Sequence, residues 1–129
     1  MFISNLNLKQ QETLFQLAKK IVAIDGIVDE KENLMLDAIK KEMHPNTNVE
    51  SNHKEPLNTI FASKKEVSSL LFELLGLAYA DDDYHEEESR FINEIANQLN
   101  ISKESLYAME NWVQRQLCLS REAIYLMEE

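Results

Sequence analysis

Displaced by 56 residues, this sequence falls on itself. Leu14 lands on Leu70, Phe15 on Leu71, Ala18 on Leu74 and Val22 on Ala78; further on, Leu36 lands on Ile92, Ile39 on Ile95 and Met43 on Leu99. Between the two apolar runs the acids match as well: Asp25 with Asp81, Glu30 with Glu86, Glu32 with Glu88. Within each run the apolar residues recur at i, i+3 and i+4, the spacing of a helix with one buried face. Each unit therefore reads as two long helices joined by an acidic turn, with a third helix behind, and two units pair their apolar faces into one core. Leu57 on Val113 and Phe61 on Leu117 extend the match before it fades.

With two Gly and two Pro in 129 residues, and little strand-like alternation, helices are expected throughout. The predicted fold is all-α: a compact bundle of six to seven helices made of two pseudo-repeats. One domain spans 1–129, with repeat 1 at about 8–62, repeat 2 at about 64–118 and a C-terminal helix at 121–128. A chain this long buries roughly two thirds of its unfolded surface, enough for a core without metal or disulfide staples.

Local signals place the helix ends. Asn7 caps the first helix with Gln10 three residues on, and Asp25-Gly26 closes it. Asp29 and Glu32 form a near capping box for the second helix, which stops near His44 because Pro45 follows. Residues 45–55 are polar and Asn-rich and read as a mobile loop. Pro56 opens a short helix that turns Leu57, Ile60 and Phe61 inward. Ser63 and Glu66 form a capping box for the third long helix, apolar on nearly every side and so expected at the centre. Asn100 ends the fourth, Ser102 caps a fifth, and Ser120 is expected to cap a last short one. Cys118, between Leu117 and Leu119, reads as a small core residue. Tyr84, Tyr107, Trp112 and Tyr125 read as core or boundary residues. The last short helix is marginal alone and must pack on its own core or on a second copy of the chain, which makes a homodimer one expectation.

The net charge of −10 narrows the partners. Residues 1–63 carry 9 acids and 7 bases, whereas residues 64–129 carry 14 acids and 6 bases, so the excess sits in the second half. Phosphate backbones and anionic lipid repel such a surface, which argues against nucleic acid and the membrane surface. Cations and basic protein surfaces are the expected partners. The one cysteine excludes an intrachain disulfide and a multi-Cys zinc site. No basic-then-apolar leader and no apolar run of about 20 residues occurs, so a cytoplasmic location without membrane insertion is expected.

The two acidic stretches resemble the marks of a known family. Val22-Ala23-Ile24-Asp25-Gly26-Ile27-Val28-Asp29-Glu30-Lys31-Glu32 is similar to the A-x-A-D-G-x-(V/L)-(D/S)-x-x-E motif of the TerB-like tellurite-resistance family. The second copy, Leu77 to Glu88, departs from it at Asp82, where Gly is usual, and at His85, where Asp or Ser is usual. The resemblance covers nearly the whole chain. It implies a small two-repeat helical domain in the cytosol, binding a divalent metal through those acids and serving stress-response or membrane-associated assemblies. The same module stands beside J-domains in some co-chaperones.

The candidate metal ligands are Asp25, Asp29, Glu32, Asp81, Asp83 and Glu88. Clustered carboxylates repel one another, and a hard cation such as Ca²⁺, Mg²⁺ or Mn²⁺ relieves the repulsion. No EF-hand is present: counted from Asp81, the sixth position is Glu86 rather than Gly and the twelfth is Ile92 rather than Glu. Ligands must then come from more than one turn. Against this stands a simpler account, in which Asp29 and Glu32 cap a helix and the remaining acids are solvated. Glu50-x-x-His53 mimics half of a di-iron site but has no second copy and lies in the polar loop. His85 reads as a surface histidine among acids, and His44 carries no motif. There is no nucleophile motif, no glycine-rich phosphate loop and no H-E-x-x-H, so an enzyme is not expected. The two function classes carried forward are a metal-responsive acidic module and an adaptor whose acidic face docks a basic partner without metal.

Overall fold

One helix is apolar on most of its sides, Glu73 being the charged exception in its middle, and that helix becomes the centre. The computed structural model describes residues 1–24, 30–80 and 86–128. Among them are six α-helices and no strand: α1 (Leu8–Val22), α2 (Glu30–Glu42), α3 (Leu57–Ile60), α4 (Lys64–Ala80), α5 (Glu86–Gln98) and α6 (Lys103–Met127), preceded by a 3₁₀ turn at Ile3–Asn5. Leu70, Leu71, Leu74 and Leu75 of α4 are all wholly buried, because α1, α5, α6 and the 3₁₀ turn all pack on α4. α1 contributes Leu14, Phe15, Ala18 and Ile21 to the same core, and α5 contributes Ile92, Ile95 and Ala96.

The helix ends carry the expected chemistry. Asn7 Oδ1 accepts from the Gln10 N–H at 2.8 Å while Gln10 Oε1 accepts from the Asn7 N–H at 2.9 Å, a reciprocal capping box. Ser63 and Glu66 repeat the device at α4: Ser63 Oγ accepts from the Glu66 N–H, and Glu66 Oε1 accepts from the N–H groups of Ser63 and Ala62. Those backbone donors, Ser63's first, hold the Glu66 carboxyl below its usual pKa. Asn100 stands at φ 58°, and behind it Ile101 N–H reaches the Ala96 carbonyl at 2.9 Å and Asn100 N–H the Asn97 carbonyl at 3.1 Å, the Schellman closure of α5.

The offset of 56 residues carries α2 onto α5 end to end and places α1 inside α4. Behind the hairpins the correspondence stops: α3 has four residues where α6 has 25.

Three expectations are corrected. The fifth and last helices are one continuous helix, α6; Ser120 lies in its interior, its hydroxyl donating to the Gln116 carbonyl at 3.0 Å rather than capping a new start. Cys118 is exposed, because the core ends beneath Leu117 and leaves the rest of α6 in solvent. Tyr107 and Tyr125 are exposed for the same reason, whereas Trp112 is partly buried against Phe72 and Phe2, ring centroids 5.1 and 5.8 Å away. Tyr84 and the Asp25-Gly26 closure lie outside the described residues.

Candidate functional site

The acids at the start of α2 and α5 divide by burial. Glu30, Glu86 and Glu87 are exposed, and Glu86 pairs in solvent with Arg90 one turn on, at 3.0 Å. Glu32, two residues into α2, is only 8% exposed, and Glu88, its counterpart under the 56-residue offset, is partly buried. Helix period explains the division: Glu32 shares its side of α2 with Leu36, Ile39 and Met43, and Glu88 shares its side of α5 with Ile92 and Ile95, so both are drawn toward the apolar face. Burying a carboxylate is costly without hydrogen bonds, a counter-charge or a cation. The start of a helix already supplies part of that compensation through its dipole.

Of the six candidate ligands, the structure thus places Glu32 and Glu88 inward on equivalent turns of two hairpins whose first helices, α1 and α4, pack together. Asp25, Asp29, Asp81 and Asp83 lie outside the described residues, as does His85. Among the described residues no group of three or more His, Cys, Asp or Glu is assembled.

A second polar site was not legible in the sequence. Glu12 on α1 reaches across to the 45–55 segment: its Oε2 accepts from the Asn48 N–H at 2.6 Å and its Oε1 lies 2.7 Å from His53 Nε2. Gln16, one turn on, donates to the Val49 carbonyl at 2.7 Å, and Gln11, one residue before Glu12, accepts from the His44 N–H at 2.8 Å. Lys9 pairs with Glu55 at 2.7 Å. The segment expected to be a mobile loop is thus tied to one side of α1 at four points, Asn48, Val49, His53 and Glu55, through Glu12, Gln16 and Lys9. His53 is partnered by Glu12, not by Glu50 of the E-x-x-H spacing. A faint signal was there: Gln10, Gln11 and Thr13 are buried polar residues crowded between apolar ones at the start of α1, too many for a purely apolar stripe. Beside this ladder a cleft of about 190 Å³ opens, floored by Leu17, Leu57 and Ile95 and rimmed by His53, Lys20 and Glu94.

The Asn48 N–H, and after it His53, hold the Glu12 carboxyl below its usual range. A carboxyl lowered on folding contributes stability above its unfolded pKa, and that contribution is lost as pH falls through the folded value. The segment is therefore expected to loosen in acid. Protection of the Asn48 amide, measured against its intrinsic exchange rate at each pH, should begin to fall below about pH 4.5, the ordinary glutamate value, and Glu12→Gln should flatten that acid limb. Protection with the same pH profile in both proteins would remove Glu12 as the anchor.

Elsewhere, burial raises the Glu110 carboxyl on α6, and burial followed by the Glu110 charge raises Tyr79 on α4.

Residues 54–111 match the family model described as Tellurite resistance protein TerB. The match takes in α3, α4, α5 and the first third of α6, so it includes the second acidic junction and Glu88. Searches of curated proteins and of solved structures returned no match.

Proposed function

The chain carries a TerB-like family domain, a tellurite-resistance-like helical module, and on that premise we propose that it is a non-enzymatic, cytoplasmic acidic module that takes up a divalent cation at its two helix–turn–helix junctions. The observation that supports this is the inward placement of Glu32 and Glu88, while Glu30, Glu86 and Glu87 beside them face solvent. Acids that only decorate the positive end of a helix gain their ~0.3–1 kcal/mol while fully hydrated, whereas these two stand on the side of their helices that the apolar residues share. Oxygen donors on the first turn of a helix, with further acids a few residues earlier in the sequence, suit a hard cation. In this reading Glu32 closes a site begun by Asp25 and Asp29, and Glu88 one begun by Asp81 and Asp83. The ion, Ca²⁺, Mg²⁺ or Mn²⁺, would add its charge to the interactions that Glu32 and Glu88 already make.

Isothermal titration with each of the three ions tests it. Binding heat is expected with at least one. At ~100 times the dissociation constant the ion should add about 2.7 kcal/mol of stability. The pair Glu32→Gln and Glu88→Gln should remove both effects. No heat above dilution with any of the three would overturn the proposal. The exposed acids at the start of α5 then favour the second reading, an adaptor of co-chaperone type whose acidic face docks a basic protein surface. Capture of such a partner should weaken steeply as salt rises.

A further inference from the structure

The cleft beside the polar segment has no part in the cation reading, and its lining is ordered. Thr13, Gln16, Leu17 and Lys20 of α1 line one side, and Phe91, Glu94, Ile95 and Gln98 of α5 line the other. Both sets run i, i+3, i+4, i+7, so each is a single stripe of its helix. Asn52, His53 and Leu57 close the cleft. That third wall is held in place, since His53 lies 2.7 Å from Glu12 and the Val49 carbonyl accepts from Gln16 at 2.7 Å. A wall already fixed loses little freedom when something binds against it.

Polarity changes with depth. Leu17 and Ile95 are 8% and 3% exposed, and Leu57 and Phe91 are partly buried, whereas Lys20 and Glu94 are exposed. The floor is therefore apolar, and the mouth carries a positive charge from α1 and a negative charge from α5. Among the described residues neither of these charges has an ion-pair partner. Gln16 uses its amide N–H on Val49, and its Oε1 has no partner among those residues either.

Size and polarity select the occupant. At about 190 Å³ the cleft is larger than the ~150 Å³ apolar cavity that takes up benzene, and smaller than the ~300 Å³ at which drug-sized sites begin. One branched or aromatic side chain fills the floor. The occupant must enter apolar end first and keep its charges at the mouth. A lysine or arginine side chain of a partner protein has the reverse order, with its charge at the tip. A simple carboxylate leaves Glu94 unpaired, and a simple amine leaves Lys20 unpaired.

We propose that this cleft binds a free α-amino acid with an apolar side chain. The side chain lies on Leu17, Leu57 and Ile95, the carboxylate meets Lys20, and the ammonium meets Glu94 with Gln16 Oε1 as a further acceptor. Both charged groups stay hydrated at the mouth, so each pair strengthens binding by no more than a factor of about five. For about nine non-hydrogen atoms in an open cleft, the dissociation constant is on the order of 1 mM.

Leucine titrated into the full chain with a chelator present, followed by amide and methyl NMR shifts, tests it. Saturable shifts are expected at the α1 and α5 residues of the cleft. Glycine keeps both charges but lacks the side chain, and it should not saturate over the same range. Isocaproate is leucine without its ammonium, and isoamylamine is leucine without its carboxylate. Each should bind about 3- to 5-fold more weakly than leucine. Charge reversal should reorder the three. Lys20→Glu should make the amine the tightest and Glu94→Lys the carboxylate, with helical circular dichroism unchanged because both side chains lie in solvent. No saturation by leucine at about ten times the expected constant would overturn the proposal. So would glycine matching leucine, or an order of probes that the two reversals leave unchanged. The chelator removes divalent ions, so the result stands or falls apart from the cation-binding proposal.

Discussion

Leu74→Ala is expected to cost about 3–5 kcal/mol and to lower the melting temperature by about 10 °C or more. Leu74 is wholly buried at the middle of α4, the helix on which α1, α5, α6 and the 3₁₀ turn all rest. Removing three carbon atoms there takes away their transfer free energy and leaves a cavity inside the core. None of the four elements that rest on α4 can shift inward without losing its other contacts, so the site collapses poorly, and the cost should lie at the upper end of what such truncations show. Half-buried Leu36 on α2 supplies the control: its truncation should cost clearly less, because solvent and flexible neighbours fill the gap. Chemical denaturation of the two variants gives the comparison. A Leu74 penalty no larger than that of Leu36 would show that α4 is not the packed centre.

Gln11→Met should be nearly as damaging, at about 2–4 kcal/mol, although it changes little in size and deletes no apolar contact. Gln11 is 5% exposed and serves three segments at once. Its Nε2 donates to the carbonyls of Leu6 at 2.9 Å and Ile3 at 3.3 Å, closing the 3₁₀ turn, and its Oε1 accepts from the His44 N–H beyond the end of α2. Methionine fills the same space and leaves those backbone groups without their partner in a place that water reaches poorly, and each such group costs about 1–3 kcal/mol. Gln11→Glu separates the two halves of the role, since it keeps the acceptor for His44 and loses the donor for Leu6 and Ile3. At neutral pH it should cost at least as much as Gln11→Met in urea denaturation, since it sets a buried carboxylate against the Leu6 and Ile3 carbonyls, and it should recover part of that loss in acid, where the protonated carboxyl can donate. A methionine variant within about 0.5 kcal/mol of wild type, the usual range for an unremarkable surface change, would refute the tie.

These two sites mark the boundary of what a sequence can announce. Leu74 was legible: it stands in a run of leucines that covers nearly every side of a helix, and a helix apolar on nearly all sides belongs in the interior. Gln11 was not, because its value comes from carbonyls and an amide that meet it only after the chain has folded back by as much as 33 residues. The same holds for Glu12 and Gln16, which turn an Asn-rich stretch into a tethered one. Cys118 fails in the opposite direction. Its apolar neighbours made it look interior, but a stripe of helical period says only that a face wants cover, not that the domain extends far enough to cover it.

What the sequence determined by itself is what depends on neighbours within about one turn: the helical period, the capping pairs Asn7–Gln10 and Ser63–Glu66, the left-handed stop at Asn100, and the centrality of α4. These are settled by contacts between residues three or four apart, which any reader of the chain can count. Only the tertiary structure decided that Glu32 and Glu88 turn inward while their neighbours stay wet, that α6 runs on as one helix past the core, and that the polar segment is bound to α1. Each of those outcomes rests on which surfaces are near one another in space, and burial is a property of the pair of surfaces, not of either one alone.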